Sequence, residues 1–179
     1  MTESITLCNG KWLRLKQRGH WEYAERTNPG GGVVIIAVTP SDDVLFVEQF
    51  RPALDRRTIE MPAGLVGDQI DSTHEDAIAA AHRELIEETG YSAARIEFLM
   101  SGPSSAGMSN EILSFVRAWD LARIDSGGGD ATENIVVHEI PRREAARWLV
   151  QRMADGYMVD PHMFAGMYFL DNETLMRTS

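Results

Sequence analysis

Cysteine is nearly absent. Cys8 is the only one among 179 residues, so no disulfide and no cysteine-built metal site can form within the chain, and a cytoplasmic setting is the simplest expectation. Basic residues are also scarce, 17 Lys and Arg against 27 Asp and Glu, giving a net charge of −10. That balance speaks against a binder of bare phosphate backbone, which neutralises phosphates with clustered Lys and Arg. No apolar run nears the ~20 residues that cross a bilayer. The opening "MTESITLCNGKWLRL" lacks a charged head followed by an apolar stretch. Neither nucleic acid nor membrane is therefore expected as a partner. Repeats, low-complexity tracts and an interdomain linker are missing too. At 44% hydrophobic, the chain is expected to form one domain over 1–179 with a genuine core.

What is present falls into strands, one strong helix, then more strands and helices. "KWLRLKQRGHWEYAERT" alternates apolar and polar residues around Gly19, which predicts two antiparallel strands. "VVIIAV" and "VLFVEQF" read as strands joined by the turn "TPSDD". "STHEDAIAAAHRELIEETG" is the clearest helix, with Ser72 or Thr73 as its cap, Glu75 and Asp76 in its first turn and Gly90 as its stop. "ARIEFLMSG" and "EILSFVRAWDL" are strands flanking the loop "PSSAGMSN", and "IVVHEI" is another. "PRREAARWLVQRMADG" is a helix with Pro141 suited to its first turn, and "PHMFAGMYFLDNE" is a last one. This order predicts a mixed α/β fold with a mixed sheet covered on both sides.

The strong helix carries chemistry. Residues three or four apart share a helix face, so Glu84, Glu87 and Glu88 lie within one turn, and like charges at that spacing cost roughly 0.2–0.5 kcal/mol per pair. The repulsion needs an offset. Arg83 can neutralise Glu87 at i, i+4, which leaves Glu84 and Glu88 as hard oxygen ligands for Mg²⁺ or Mn²⁺. The competing reading is a solvated acidic face.

The string "RELIEETGY" after an upstream "MPAG" resembles the second half of the Nudix box: Gly, five residues, Glu, seven residues, then Arg-Glu-apolar-x-Glu-Glu-x-Gly-apolar. Seven residues back from Arg83 stands Glu75, as the pattern asks. The box glycine does not match in spacing, because Gln69 occupies its place and Gly64 lies five residues earlier. An insertion in "LVGDQIDST" accounts for this, and leaves Asp68 or Asp71 as alternatives to Glu75.

The resemblance implies a Nudix-type α/β/α sandwich with an N-terminal antiparallel hairpin, about residues 1–30 before a catalytic core at 31–179. It further implies metal-dependent cleavage of a nucleoside diphosphate linked to another group. By position, Ala63, Glu84 and Glu88 match metal ligands, and Glu75, the further box glutamate, is counted with them. Arg83 and Glu87 match the pair that orients the helix, with Glu87 also able to reach metal, and Glu133 in "GGGDATENIVVH" matches the glutamate that serves as general base or another ligand on a loop whose glycines suggest freedom to swing. "FVEQFRPALDRRTIEMPAGLVGD" is similar to ADP-ribose and nucleotide-sugar hydrolases, where Arg51 would meet phosphate and Gly64 would stand in the substrate site. Glu111 in "SSAGMSNE" matches a carboxylate that recognises the terminal ribose, although Ala106 replaces the proline common there. Trp21 and Tyr23 are candidates to stack on a nucleobase. ADP-ribose is thus the favoured substrate. GDP-mannose or another nucleotide sugar, and a non-catalytic nucleotide-sugar sensor, are the alternatives. In such enzymes the N-terminal strands pack between two subunits, so a homodimer is expected.

Overall fold

The computed structural model describes residues 2–28, 30–67, 75–129 and 134–173. Along them run β1 (Ser4–Asn9), β2 (Leu13–Arg18), β3 (Trp21–Arg26), β4 (Gly32–Ala37), β5 (Asp43–Arg51), β6 (Arg56–Glu60), β7 (Ala63–Leu65) and α1 (Ala77–Thr89). They continue with β8 (Tyr91–Pro103), β9 (Ile112–Arg123), β10 (Val136–Pro141), α2 (Arg142–Ala154), β11 (Met158–Val159) and α3 (His162–Asp171). The expected hairpin is β2–β3. It is extended by β1, which pairs antiparallel with the free edge of β2 and makes a three-stranded sheet.

β4 is the pivot of the rest. Its run "GVVIIA" is buried throughout, as a strand covered on both faces has to be. Val33, Ile35 and Ala37 pack with Ala80, Ala81 and Leu85 of α1. The alternate residues Val34 and Ile36 join the cluster of Ala145 and Leu149 from α2 with Met163 and Phe169 from α3. Helices therefore cover both faces of the β layer, the arrangement expected of an α/β/α sandwich. Each fully buried Val, Leu or Ile of this set contributes roughly 1.5–3 kcal/mol, so both faces hold β4 in register.

The β layer consists of two four-stranded sheets, β7-β4-β9-β8 and β10-β5-β6-β11. β4 runs parallel to β9 and β6 parallel to β11, while the other pairs are antiparallel. Gly32 lies opposite Leu65 of β7 and opposite Leu113 of β9. The starts of β4 and β9 and the end of β7 thus lie side by side, and the site forms there.

Two helix boundaries differ from the sequence reading. Asp76 is the cap of α1, accepting from the N–H groups of Ile78 and Ala79 at 2.9 Å, while Ser72 and Thr73 lie outside the described residues. A carboxylate aimed at two orphan N–H groups fits the helix N-terminus better than a first-turn position. Pro141 ends β10 and stands just before α2, where it satisfies the strand and leaves no donor to be capped. Gly90 closes α1 as expected, in the left-handed region at φ 75°.

Candidate active site

The buried residues of α1 are Ala80, Ala81, Glu84, Leu85, Glu88 and Thr89. Ala80, Glu84 and Glu88 form one column at i, i+4, i+8. Glu84 and Glu88 are only 8% and 4% exposed, which excludes the solvated-face reading. What lets them in is β7. A Cβ on Gly64 would overlap the Glu84 carboxyl group, so only glycine leaves room for that side chain. The N–H of Ala63 donates to Glu88 Oε2 at 2.9 Å.

Arg83 ties this face together in a way the helical period did not indicate. It bonds Glu75 through Nε and Nη2, both at 3.1 Å, Glu84 Oε1 at 2.7 Å and the Leu65 carbonyl at 2.9 Å. Its approach to Glu87, the partner expected from i, i+4 spacing, is 3.7 Å. The guanidinium reaches back over β7 because hydrogen bonds to a buried carboxylate and carbonyl outweigh a longer, half-buried pair. Glu75 sits just ahead of α1 and also accepts from the N–H of Gly67 at 2.8 Å. Arg83, with help from that N–H and against partial burial, holds the Glu75 carboxyl below the usual carboxylate range. Asp68 and Asp71, its alternatives, lie outside the described residues.

A second wall comes from β5 and β6. Arg51 forks onto both oxygens of Glu60, at 2.7 and 2.6 Å, and Thr58 donates to the same carboxylate. Burial pushes the Glu60 carboxyl up, but Arg51, Thr58 and the nearby His162 more than offset this, so it stays below its ordinary value. These residues, with Gln49, Arg26, Glu111, Ser104, Leu113 and the Met158–His162 segment, line the same cavity of about 940 Å³ as Ala63, Gly64, Arg83, Glu84, Glu87 and Glu88. Glu111 is held by Arg26 at the end of β3, so the N-terminal sheet places a residue at the site.

The fold therefore brings together Arg51, Ala63, Gly64, Arg83, Glu84, Glu87, Glu88 and Glu111. Trp21 is 53% exposed, donates to the Gly107 carbonyl at 3.2 Å and is not part of the cavity lining. Glu133 lies outside the described residues. The glycines before it make defined backbone contacts with α1. The N–H groups of Gly128 and Gly129 donate to the carbonyls of Glu88 and Glu87 at 2.9 and 3.0 Å, satisfying orphan acceptors at the α1 C-terminus. A Cβ on Gly127 would lie 2.6 Å from Gly90 N. These glycines serve close backbone approach. Asp160, His162, Arg26, Thr58 and Gln49 were missed by sequence reasoning; the "D-P-H" spacing, an acid two residues before a histidine, was a local signal for the first pair.

Among the described residues, six carboxylates (Glu60, Glu84, Glu87, Glu88, Glu111, Asp160) and three guanidiniums (Arg26, Arg51, Arg83) line the cavity, so an anionic substrate needs cations beside it. Among the described residues no three His, Cys, Asp or Glu side chains meet as a ready-made metal cage. The donors still fit a hard divalent cation. They are all oxygen, two are buried carboxylates on one helix face, and Mg²⁺ is typically held by one or two carboxylates plus substrate phosphates.

Residues 28–151 match the NUDIX domain. The chain is 32% identical over 123 residues to the methanol dehydrogenase activator of Bacillus methanolicus, covering 68% of this chain and 64% of that protein's length. It is 31% identical to the ADP-ribose pyrophosphatase of Bacillus subtilis, over 84% of this chain and 74% of that one. It is 30% identical to the GDP-mannose pyrophosphatase of Klebsiella pneumoniae, over 98% and 85%. A solved structure described as an ADP compounds hydrolase superposes with a TM-score of 0.63 at 17% identity, covering 86% of this chain and 92% of the other, a likeness of fold. With the carboxylate face of α1 seated on β7 and the matched domain spanning that whole assembly, the chain belongs to the Nudix family.

Proposed function

We propose that this Nudix protein hydrolyses the pyrophosphate bond of a nucleoside diphosphate sugar, with ADP-ribose cleaved to AMP and ribose 5-phosphate as the first reading. The observation that carries it is the buried Glu84 and Glu88 pair facing a cavity that also holds Arg51 and Glu111. Its similarity to an ADP-ribose pyrophosphatase supports the choice of sugar. GDP-mannose is the second reading, favoured by the relative of that name aligned along 98% of this chain.

In this reading Glu84, Glu88 and the Ala63 backbone hold Mg²⁺ or Mn²⁺. The metal, when bound, neutralises the diphosphate and acidifies a water. Arg83 fixes the glutamate geometry from behind, with Glu75 and Glu87 as its further partners. Arg51 and Glu111 orient the substrate, and Gly64 leaves room for Glu84. Glu133 accepts the proton from the attacking water. Exposed Ile5, Leu7, Leu13 and Leu15 on the N-terminal sheet suit burial against a second copy, which makes the homodimer part of this proposal. The lone Cys8 suits the reducing cytoplasm.

The test is hydrolysis of ADP-ribose, GDP-mannose, UDP-glucose, NADH, diadenosine polyphosphates and nucleoside triphosphates with Mg²⁺ or Mn²⁺. A nucleotide sugar is expected to have the highest kcat/KM; preference for triphosphates would refute the reading. Glu133→Gln is expected to slow turnover by ~10², and a loss below about tenfold moves the base elsewhere.

A further inference from the structure

Where β11 meets α3, an acid–imidazole pair enters the cavity on elements distinct from α1. Asp160 Oδ1 accepts from the backbone N–H of His162 at 2.7 Å and lies 2.7 Å from its Nδ1. The N–H of Asp160 donates to the Ile59 carbonyl at 3.0 Å, so the pair hangs from the strand that carries Thr58 and Glu60. The imidazole also tilts against Phe115, with ring centroids 6.0 Å apart. A ring held at one nitrogen and packed on one face has a defined orientation. A carboxylate at Nδ1 places the proton of the neutral ring on that nitrogen, which leaves Nε2 an acceptor. Among the described residues no group bonds to Nε2, and His162 lines the cavity.

We infer that His162 is a substrate-contacting residue whose Nε2 accepts a hydrogen bond from a hydroxyl of the sugar half of the substrate, with Asp160 as its positioning residue. The inference rests on the nucleotide-sugar reading above. For the neutral ring, hydrogen-bond chemistry selects the sugar over the diphosphate: with its proton on Nδ1 it offers only a lone pair at Nε2, and a phosphate oxyanion offers only acceptors, whereas a hydroxyl donates. The neighbouring Glu60 carboxylate adds acceptor character to this wall, and its charge is taken up by Arg51. This part of the cavity therefore suits a polyol, while the α1 face, with its glutamates, suits a cation-bound diphosphate.

The experiment compares wild type, His162→Phe and His162→Gln on the best nucleoside diphosphate sugar and on the matching nucleoside diphosphate alkyl ester, which keeps the diphosphate and lacks the sugar hydroxyls. Phe preserves the ring packing against Phe115 and removes the acceptor. Gln restores a side-chain oxygen. His162→Phe is expected to raise KM for the sugar substrate about tenfold, the scale of one hydrogen bond, with kcat changed less than about threefold and the alkyl ester unaffected. His162→Gln is expected to recover part of the loss, at a melting temperature within about 4 °C of wild type. Equal losses on both diesters, no loss on either, or no recovery with Gln overturns the inference while the function stands. A wild-type enzyme that cleaves neither diester overturns the function with it.

Discussion

The two walls of the cavity handle buried glutamates differently. On β5 and β6, both carboxylate oxygens of Glu60 lie in the Arg51 fork. On α1, one Arg83 is shared among Glu75, Glu84 and, at longer range, Glu87, while Glu88 takes a backbone N–H. The first is a two-point fork between one arginine and one glutamate; the second gathers Glu75, Glu84 and Glu87 around one arginine beside the buried Glu88. Burying charge is costly unless it is compensated, so an acidic wall is stable in function when cations join it. In the proposed function the fork wall recognises the substrate and the α1 wall holds the metal.

The sharpest way to break the comparison is Glu88→Gln. The amide oxygen can still accept from Ala63, so the fold is expected to survive, while turnover falls by ~10³ as a ligand charge is lost. A variant that retains above about a tenth of wild-type turnover would erase the distinction between the walls. Gly64→Ala comes next. Its methyl group displaces the Glu84 carboxyl, with an expected ~10² loss in kcat from misplacement and a stability loss of about 1–3 kcal/mol, read by steady-state kinetics and denaturant melts.

Arg51→Met addresses the other wall. It leaves Glu60 buried without its fork, and is expected to raise KM about tenfold and to destabilise by about 1–3 kcal/mol, checked by the same two measurements. The smallest effect is in pH. Because Glu60 has a folded-state pKa below its ordinary value, the unfolded chain binds more protons, and stability falls as pH drops through the folded-state value. Melting temperatures from about pH 7 to about pH 3 are expected to fall more steeply for wild type than for Glu60→Gln; parallel curves would show that the fork contributes nothing.

Much of this was legible in the chain. The 3.6-residue period placed Glu84 and Glu88 on one face, strict alternation marked β2 and β3, and Gly90 marked the end of α1. Other features were not. β1 stayed hidden because "SITLCN" becomes a strand by pairing with the open edge of β2. Local composition also carried no signal for the backbone contacts that the glycines at 127–129 make with α1. Here they cap α1 with their N–H groups.

By itself the amino-acid sequence determined the acidic helix, its glutamate spacing and its family, because helical period and box spacing are local properties of consecutive residues. Tertiary structure alone decided that those glutamates are buried, that Arg83 serves Glu75 and Glu84 more closely than Glu87, and that Arg26, Arg51 and His162 meet at one cavity. Those outcomes depend on the empty Cβ position at Gly64 and on strand pairings between residues far apart in the chain. Such contacts exist only once the sheets have formed.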